Sequence, residues 1–193
     1  MATKDTRTRN WTFLIYPESA PDNWLDCLKS LHVPFIVSPL HDMDVEKDGS
    51  GALKKPHWHV LMLFSGKKSF EQIKRITDAF NTTVPFICND TVGLVRYFAH
   101  LDNPEKYQYG TSGIKGYCGA DPSEYLKPTS GERHKIIDEM MQFVLDNHIT
   151  EFQDLCDYAR ENKFETWFSC ICDNSTIVME RYVRSQRHRY GGK

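Results

Sequence analysis

The segment Pro56-His57-Trp58-His59-Val60-Leu61-Met62-Leu63-Phe64 constrains this chain more than any other. Its apolar and aromatic run reads as a buried strand, and side chains alternate faces along a strand. His57 and His59 therefore share one face, while Trp58 points into the opposite layer. The strand must lie inside a sheet, with packing over Trp58 and a metal-binding edge where the imidazoles emerge.

The chain has 193 residues with 40% hydrophobic content, enough for one compact domain with a real core and a small helical appendage. Lysine and arginine number 24 against 26 acids, for a net charge of -2, so no global positive field is present and any nucleic-acid surface must come from local clusters. Six cysteines (Cys27, Cys88, Cys118, Cys156, Cys170, Cys172) occur without a CxxC pair. No secretory signal or membrane-length apolar run accompanies them, so a reducing cytoplasm is the expected setting, without membrane association. Cys170-Ile171-Cys172 sits in an apolar, aromatic stretch and reads as buried free thiols.

Trp11 to Tyr16 is a strand ended by Pro17; Ser19-Ala20-Pro21-Asp22 looks like a helix cap, followed by Trp24, Leu28 and Leu31 at helical spacing. Val33 to Leu40 is the second strand, and Asp42 to Lys55 an exposed polar connection to the third, His57 to Phe64. Ser69-Phe70-Glu71-Gln72 is a capping box for a helix through Phe80, Val84 to Cys88 is the fourth strand, and Asp90 or Thr91 caps a helix from Val92 to about His100. The order strand, helix, strand, strand, helix, strand is the split βαβ, ferredoxin-like arrangement: an α+β fold with an antiparallel sheet and helices on one face. A turn-rich passage leads to Pro128-Thr129-Ser130-Gly131, read as a linker. Residues 1–131 then form the main domain, and 132–193 a small all-α domain with stripes at Ile136, Met140, Phe143, Val144, then Phe152, Leu155, Cys156, Ala159, then Trp167, Phe168, Ile171. So small a helical core favours packing on the main domain or on another protomer.

If the second strand pairs antiparallel with the third, His41 of Ser38-Pro39-Leu40-His41-Asp42-Met43-Asp44 lies near the same sheet end as His57 and His59, with Asp44 or Asp42 to complete the set. Imidazoles with one carboxylate and open positions suit several divalent metals, manganese among them and magnesium in reach. No cysteine neighbours these residues, which argues against a closed structural zinc site. In Arg96-Tyr97-Phe98-Ala99-His100, Tyr97 is the tyrosine placed mid-helix directly after the fourth strand, whereas Tyr107, Tyr109 and Tyr117 lie in flexible, glycine-rich sequence. Three imidazoles, a carboxylate and a phenol point to metal-assisted phosphoryl transfer with a tyrosine nucleophile.

These residues resemble a known family. His57-Trp58-His59 looks like the paired-histidine motif of the HUH endonucleases, and Phe13-Leu14-Ile15-Tyr16-Pro17-Glu18-Ser19, Val37 to Asp44 and Lys55 to Leu61 resemble successive motifs of the RepB-type rolling-circle plasmid replication initiators, over residues 1 to about 130. The resemblance implies His41, Asp44, His57 and His59 as metal ligands, with Asp42 the alternative carboxylate. It also implies Tyr97 as the catalytic tyrosine, and manganese, or else magnesium, as the cation. It further implies nicking of single-stranded or melted origin DNA, binding of duplex origin repeats, a 5′-phosphotyrosyl link, a 3′-hydroxyl primer for a host polymerase, and an oligomerising helical tail. The chain departs from the pattern at Met43, where lysine is familiar, and at Arg96, where a hydrophobic residue is. No GxxxxGK[ST] loop is present, so unwinding falls to a host helicase.

DNA contacts are expected at Lys54 and Lys55, with Lys67, Lys68, Lys74 and Arg75 nearby in sequence, and at Arg181, Arg184, Arg187, Arg189 and Lys193 near the C-terminus. Two other function classes fit the same residues: a conjugative relaxase or single-strand transposase of HUH type, and a non-catalytic DNA-binding repressor with a structural metal.

Overall fold

The computed structural model describes residues 5–190, so Lys193 lies outside the described residues. Its contacts divide the chain into two compact units, Met1–Lys127 and Pro128–Lys193. Ser130 and Gly131, read from sequence as linker, are already helical, because Thr129 and Glu132 close a capping box ahead of them.

In the first unit, strands β1 (Thr8–Ile15), β2 (Phe35–Val37), β3 (Trp58–Lys68), β4 (Phe86–Ile87) and β5 (Lys115–Tyr117) form one sheet in the order β4-β1-β3-β2-β5, with every neighbour antiparallel. β1 and β2 flank β3, which is the split βαβ arrangement and an α+β fold. Alternation sets the two faces. Trp11, Phe13 and Ile15 of β1, Phe35 and Val37 of β2, and Val60, Met62 and Phe64 of β3 join one core with Leu28 of α1 (Trp24–Ser30) and Ile73 of α2 (Phe70–Ala79). Trp58 joins the same layer, its ring 5.1 Å from that of Trp24. The opposite face carries Ile36 and Leu61, covered by Val95 of α3 (Thr91–Tyr97) and by Phe98 and Ala99 just beyond it. The two crossover helices thus share one face, and the tyrosine-bearing helix lies on the other.

Several boundaries differ from the pattern in the sequence, for local reasons. α1 starts at Trp24, after Asn23, without a side-chain cap, because Ser19 is engaged elsewhere: its hydroxyl donates to the Asn81 carbonyl at 3.2 Å. β2 stops at Val37, where the Ser38 hydroxyl takes over and accepts the His59 N–H at 2.9 Å. β5 escapes notice because it is three residues long and contains Gly116, where a β-carbon would collide with the Ala120 carbonyl oxygen.

The second unit comprises α4 (Ser130–Asp146), α5 (Phe152–Asn162), π-helical segments at Phe164–Phe168 and Ile171–Ser175, and α6 (Thr176–Tyr190). Met140, Val144, Leu155, Ala159, Trp167, Ile171, Met179 and Val183 make its core. The third apolar stripe expected here is therefore built on widened turns, which Ser169 and Ser175 stabilise by donating to the carbonyls five residues back, at 3.1 and 2.8 Å. The cysteines are free thiols, Cys170 buried but Cys172 exposed. Among the described residues no helix is long and apolar enough to cross a membrane.

Candidate functional site

The odd positions of β3 face α3, so His57 and His59 enter a layer otherwise filled by Leu61 and Leu63. His41 is brought opposite His57 by an isolated bridge, with backbone bonds of 2.8 and 3.2 Å between the two residues. Ring nitrogens of His41, His57 and His59, one from each, lie within 4.8 Å of one another.

Carbonyl oxygens only accept, which fixes how these rings are oriented. His41 Nε2 donates to the Phe98 carbonyl at 2.9 Å and His57 Nδ1 to the Lys55 carbonyl at 2.8 Å, leaving the opposite nitrogen of each with its lone pair. His41 Nδ1 and His59 Nε2 are buried without a hydrogen-bond partner among the described residues. Burial pushes both imidazoles below their ordinary pKa, His59 the further, and the neighbouring histidines add to it. Both are therefore neutral near pH 7, as metal ligands must be. Orphaned, neutral, convergent nitrogens fit a divalent cation, since buried polar groups without partners are otherwise rare and costly.

Asp44 is 4% exposed, with Oδ2 3.6 Å from His41 Nδ1, whereas Asp42 is exposed and outside these groups. Asp44 does not join the imidazole trio directly. It groups with His41 and His100, whose ligand atoms also lie within 4.8 Å of one another. His100 is thus a site residue that sequence reasoning missed.

Tyr97 is the last residue of α3 rather than a mid-helix residue, because the chain turns out of the helix through Phe98 to Leu101. Asp90 caps the start of that helix, accepting from Gly93 N at 2.8 Å, and Arg96 anchors its end by two bonds to Asp102 of 2.8 and 2.7 Å. The Tyr97 ring meets His59 edge-on, centroids 5.5 Å apart, and lies 4.9 Å from the ring of His100. Lys106 donates to the Tyr97 hydroxyl at 2.8 Å and holds its ammonium 4.3 Å from the ring centroid. Lys106 is the second residue that the sequence did not mark.

Tyr109, read as lying in flexible sequence, is buried and stacked on His41 at 4.2 Å and 7°. Its hydroxyl accepts from Met43 N at 2.9 Å and donates to Asp44 at 3.3 Å. Burial first, then the Asp44 charge, pushes its pKa up to about 12. That makes Tyr109 a poor nucleophile and a rigid support for Asp44 and His41.

An open cleft of about 320 Å³ runs over His57 and His59, with Asp44, Tyr97, Lys54 and Lys55 also among its walls. Lys55 is paired with Glu18 at 2.5 Å, Lys67 with Asp5 at 3.2 Å and Lys74 with Asp78 at 2.6 Å. In the helical unit Arg184 pairs with Glu180 at 3.1 Å, and Arg187 with Glu151. Much of the basic clustering seen in the sequence is therefore locally compensated.

Residues 3–122 match the family model described as plasmid replication protein, origin binding domain, and residues 130–188 match replication protein RepB, C-terminal. The chain is 47% identical over 186 residues to a replication protein of Staphylococcus aureus, covering 96% of this chain and 92% of that protein. It is 36% identical over 190 residues to the replication protein RepB of Lactiplantibacillus plantarum, covering 97% and 85% respectively. To the replication protein RepB of Streptococcus agalactiae it is 26% identical over 164 residues.

Proposed function

Because this chain belongs to the RepB-type plasmid replication initiators, we propose that it starts rolling-circle copying by nicking one strand of origin DNA with Tyr97. Family membership favours replication over the conjugative and transposon chemistries that the same residues permit. Of the plausible roles, a DNA-binding repressor would not need a phenol held beside imidazole lone pairs. The observation that carries the reading is the meeting of Tyr97 with His59, whose Nε2 is buried and partnerless, in one cleft that Asp44 and His57 also line.

In this reading the Tyr97 oxygen attacks the scissile phosphorus, an O–P bond forms to the phenol, and the bond from phosphorus to the 3′-oxygen breaks. The phenolic proton passes to solvent, and the departing 3′-oxygen takes one up. One phosphodiester replaces another, so the step runs backwards to rejoin strands. Lys106 aims the phenol and places a positive charge beside its oxygen as negative charge develops. His41, His57, His59 and Asp44 would hold the divalent cation, manganese or else magnesium as the family resemblance implies, the carboxylate and open positions admitting either. When bound, the cation supplies Lewis-acid charge to the phosphate oxygens. Lys54 and Lys55 at the cleft wall contact the DNA backbone, Lys55 by exchanging Glu18 for phosphate.

The protein acts in the cytoplasm on melted, single-stranded origin and binds origin duplex repeats, with a host helicase and polymerase continuing the reaction. Exposed Phe164, Ile177 and Val178 give the helical unit apolar surface for assembly with further copies. Tyr97→Phe tests the reading. Nicking of a single-stranded origin oligonucleotide falls by roughly 10³-fold or more while oligonucleotide binding persists. Nicking at the wild-type rate by that variant would remove Tyr97 from the chemistry.

A further inference from the structure

Three helix ends in this protein place a histidine in the left-handed region: His32 at φ 51°, His100 at φ 57° and His148 at φ 52°. His32 and His148 are exposed; His100 is 0% exposed. At His100 the turn is of Schellman form, with Leu101 N bonding Arg96 O at 3.2 Å and His100 N bonding Tyr97 O at 3.0 Å. Glycine is the usual occupant of that position, so the backbone alone gives no reason for a buried imidazole there.

The side chain does give one. His100 Nδ1 donates to the Tyr107 carbonyl at 2.7 Å, which fixes the tautomer and leaves the Nε2 lone pair free. Nε2 is buried without a hydrogen-bond partner and points at Asp44, 3.8 Å from Oδ1. The other carboxylate oxygen lies 3.6 Å from His41 Nδ1, the equally orphaned nitrogen of a residue that also belongs to the His57 and His59 group. His41 is the member common to both groups, and an ion at its Nδ1 would draw the two together. We infer that His100 is a fourth imidazole ligand of that ion, entering beside Asp44.

The assignment rests on the metal-assisted reading above and gives it a mechanical consequence. His100 follows Tyr97 by three residues on the same turn, and the two rings lie 4.9 Å apart. Ligation by His100 therefore couples the cation directly to the segment that carries the phenol.

The test is manganese binding to the full chain, by calorimetry and by nitrogen hyperfine spectroscopy of the bound ion with histidine ¹⁵N labelling. Wild type shows four coordinated imidazoles. His100→Asn, which suits a left-handed backbone, binds manganese at least about tenfold more weakly and shows one imidazole fewer. His32→Asn, at an exposed helix end, changes neither. If wild type binds manganese and His100→Asn matches it in affinity and couplings, the assignment is overturned while the metal reading stands. If wild type binds no manganese, the metal reading itself fails. Should His100→Asn not fold, the wild-type count decides, and three imidazoles or fewer overturns the assignment.

Discussion

The two faces of β3 are built from one stretch of chain and obey opposite rules. The even positions, Val60, Met62 and Phe64, are buried against α1 and α2 with only apolar neighbours to satisfy. On the odd side His59 is partly buried and His41, opposite the strand, is fully so, yet each keeps an enclosed nitrogen without a partner. One face contributes stability. The other gives some up, because a buried polar atom left unpaired costs about 1–3 kcal/mol. Stability is surrendered here where ring nitrogens converge, which marks the candidate site independently of any motif.

Changes on the odd face should therefore act on chemistry, and changes on the even face on folding. His59→Leu gives the largest separation: manganese affinity falls by about 10–100-fold or more, while the metal-free protein unfolds within about 1 kcal/mol of wild type or above it. Calorimetry with and without metal reads both, and a large loss of metal-free stability would mean that His59 is structural. Met62→Ala is the reverse case. It loses about 2–5 kcal/mol in thermal or denaturant unfolding, with metal affinity preserved in the folded fraction. Lys106→Met slows nicking by about 10–100-fold with little change in oligonucleotide binding, and Lys106→Arg recovers part of the rate. Equal losses in binding and rate would move Lys106 from aiming the phenol to holding DNA.

What could be read from sequence follows the same division. The first four strands and both faces of β3 were legible because alternation is a local, two-residue rule, and so was the capping box at Ser69, which sits in a few consecutive residues, whereas the one at Thr129 was passed over as linker. His41 could be placed because pairing with β3 carries it to His57. His100, Lys106 and Tyr109 were not legible in their roles, since each reaches the site through a turn whose course has no period. A histidine in a glycine-favoured position at a helix end was the available signal, but His32 and His148 carry it too without burial. Likewise, charge runs such as Lys67 and Lys74 revealed nothing of the acids that neutralise them across the fold or one turn away.

The most direct measurement is the mass of the covalent product formed when the full-length protein meets a single-stranded origin oligonucleotide and manganese. Proteolysis and tandem mass spectrometry should place the 5′-phosphoryl nucleotide on Tyr97, in the peptide that also carries His100, with the adduct missing when manganese is chelated. An adduct on Tyr109 or Tyr107, or cleavage that proceeds with no protein-linked DNA, would contradict the account.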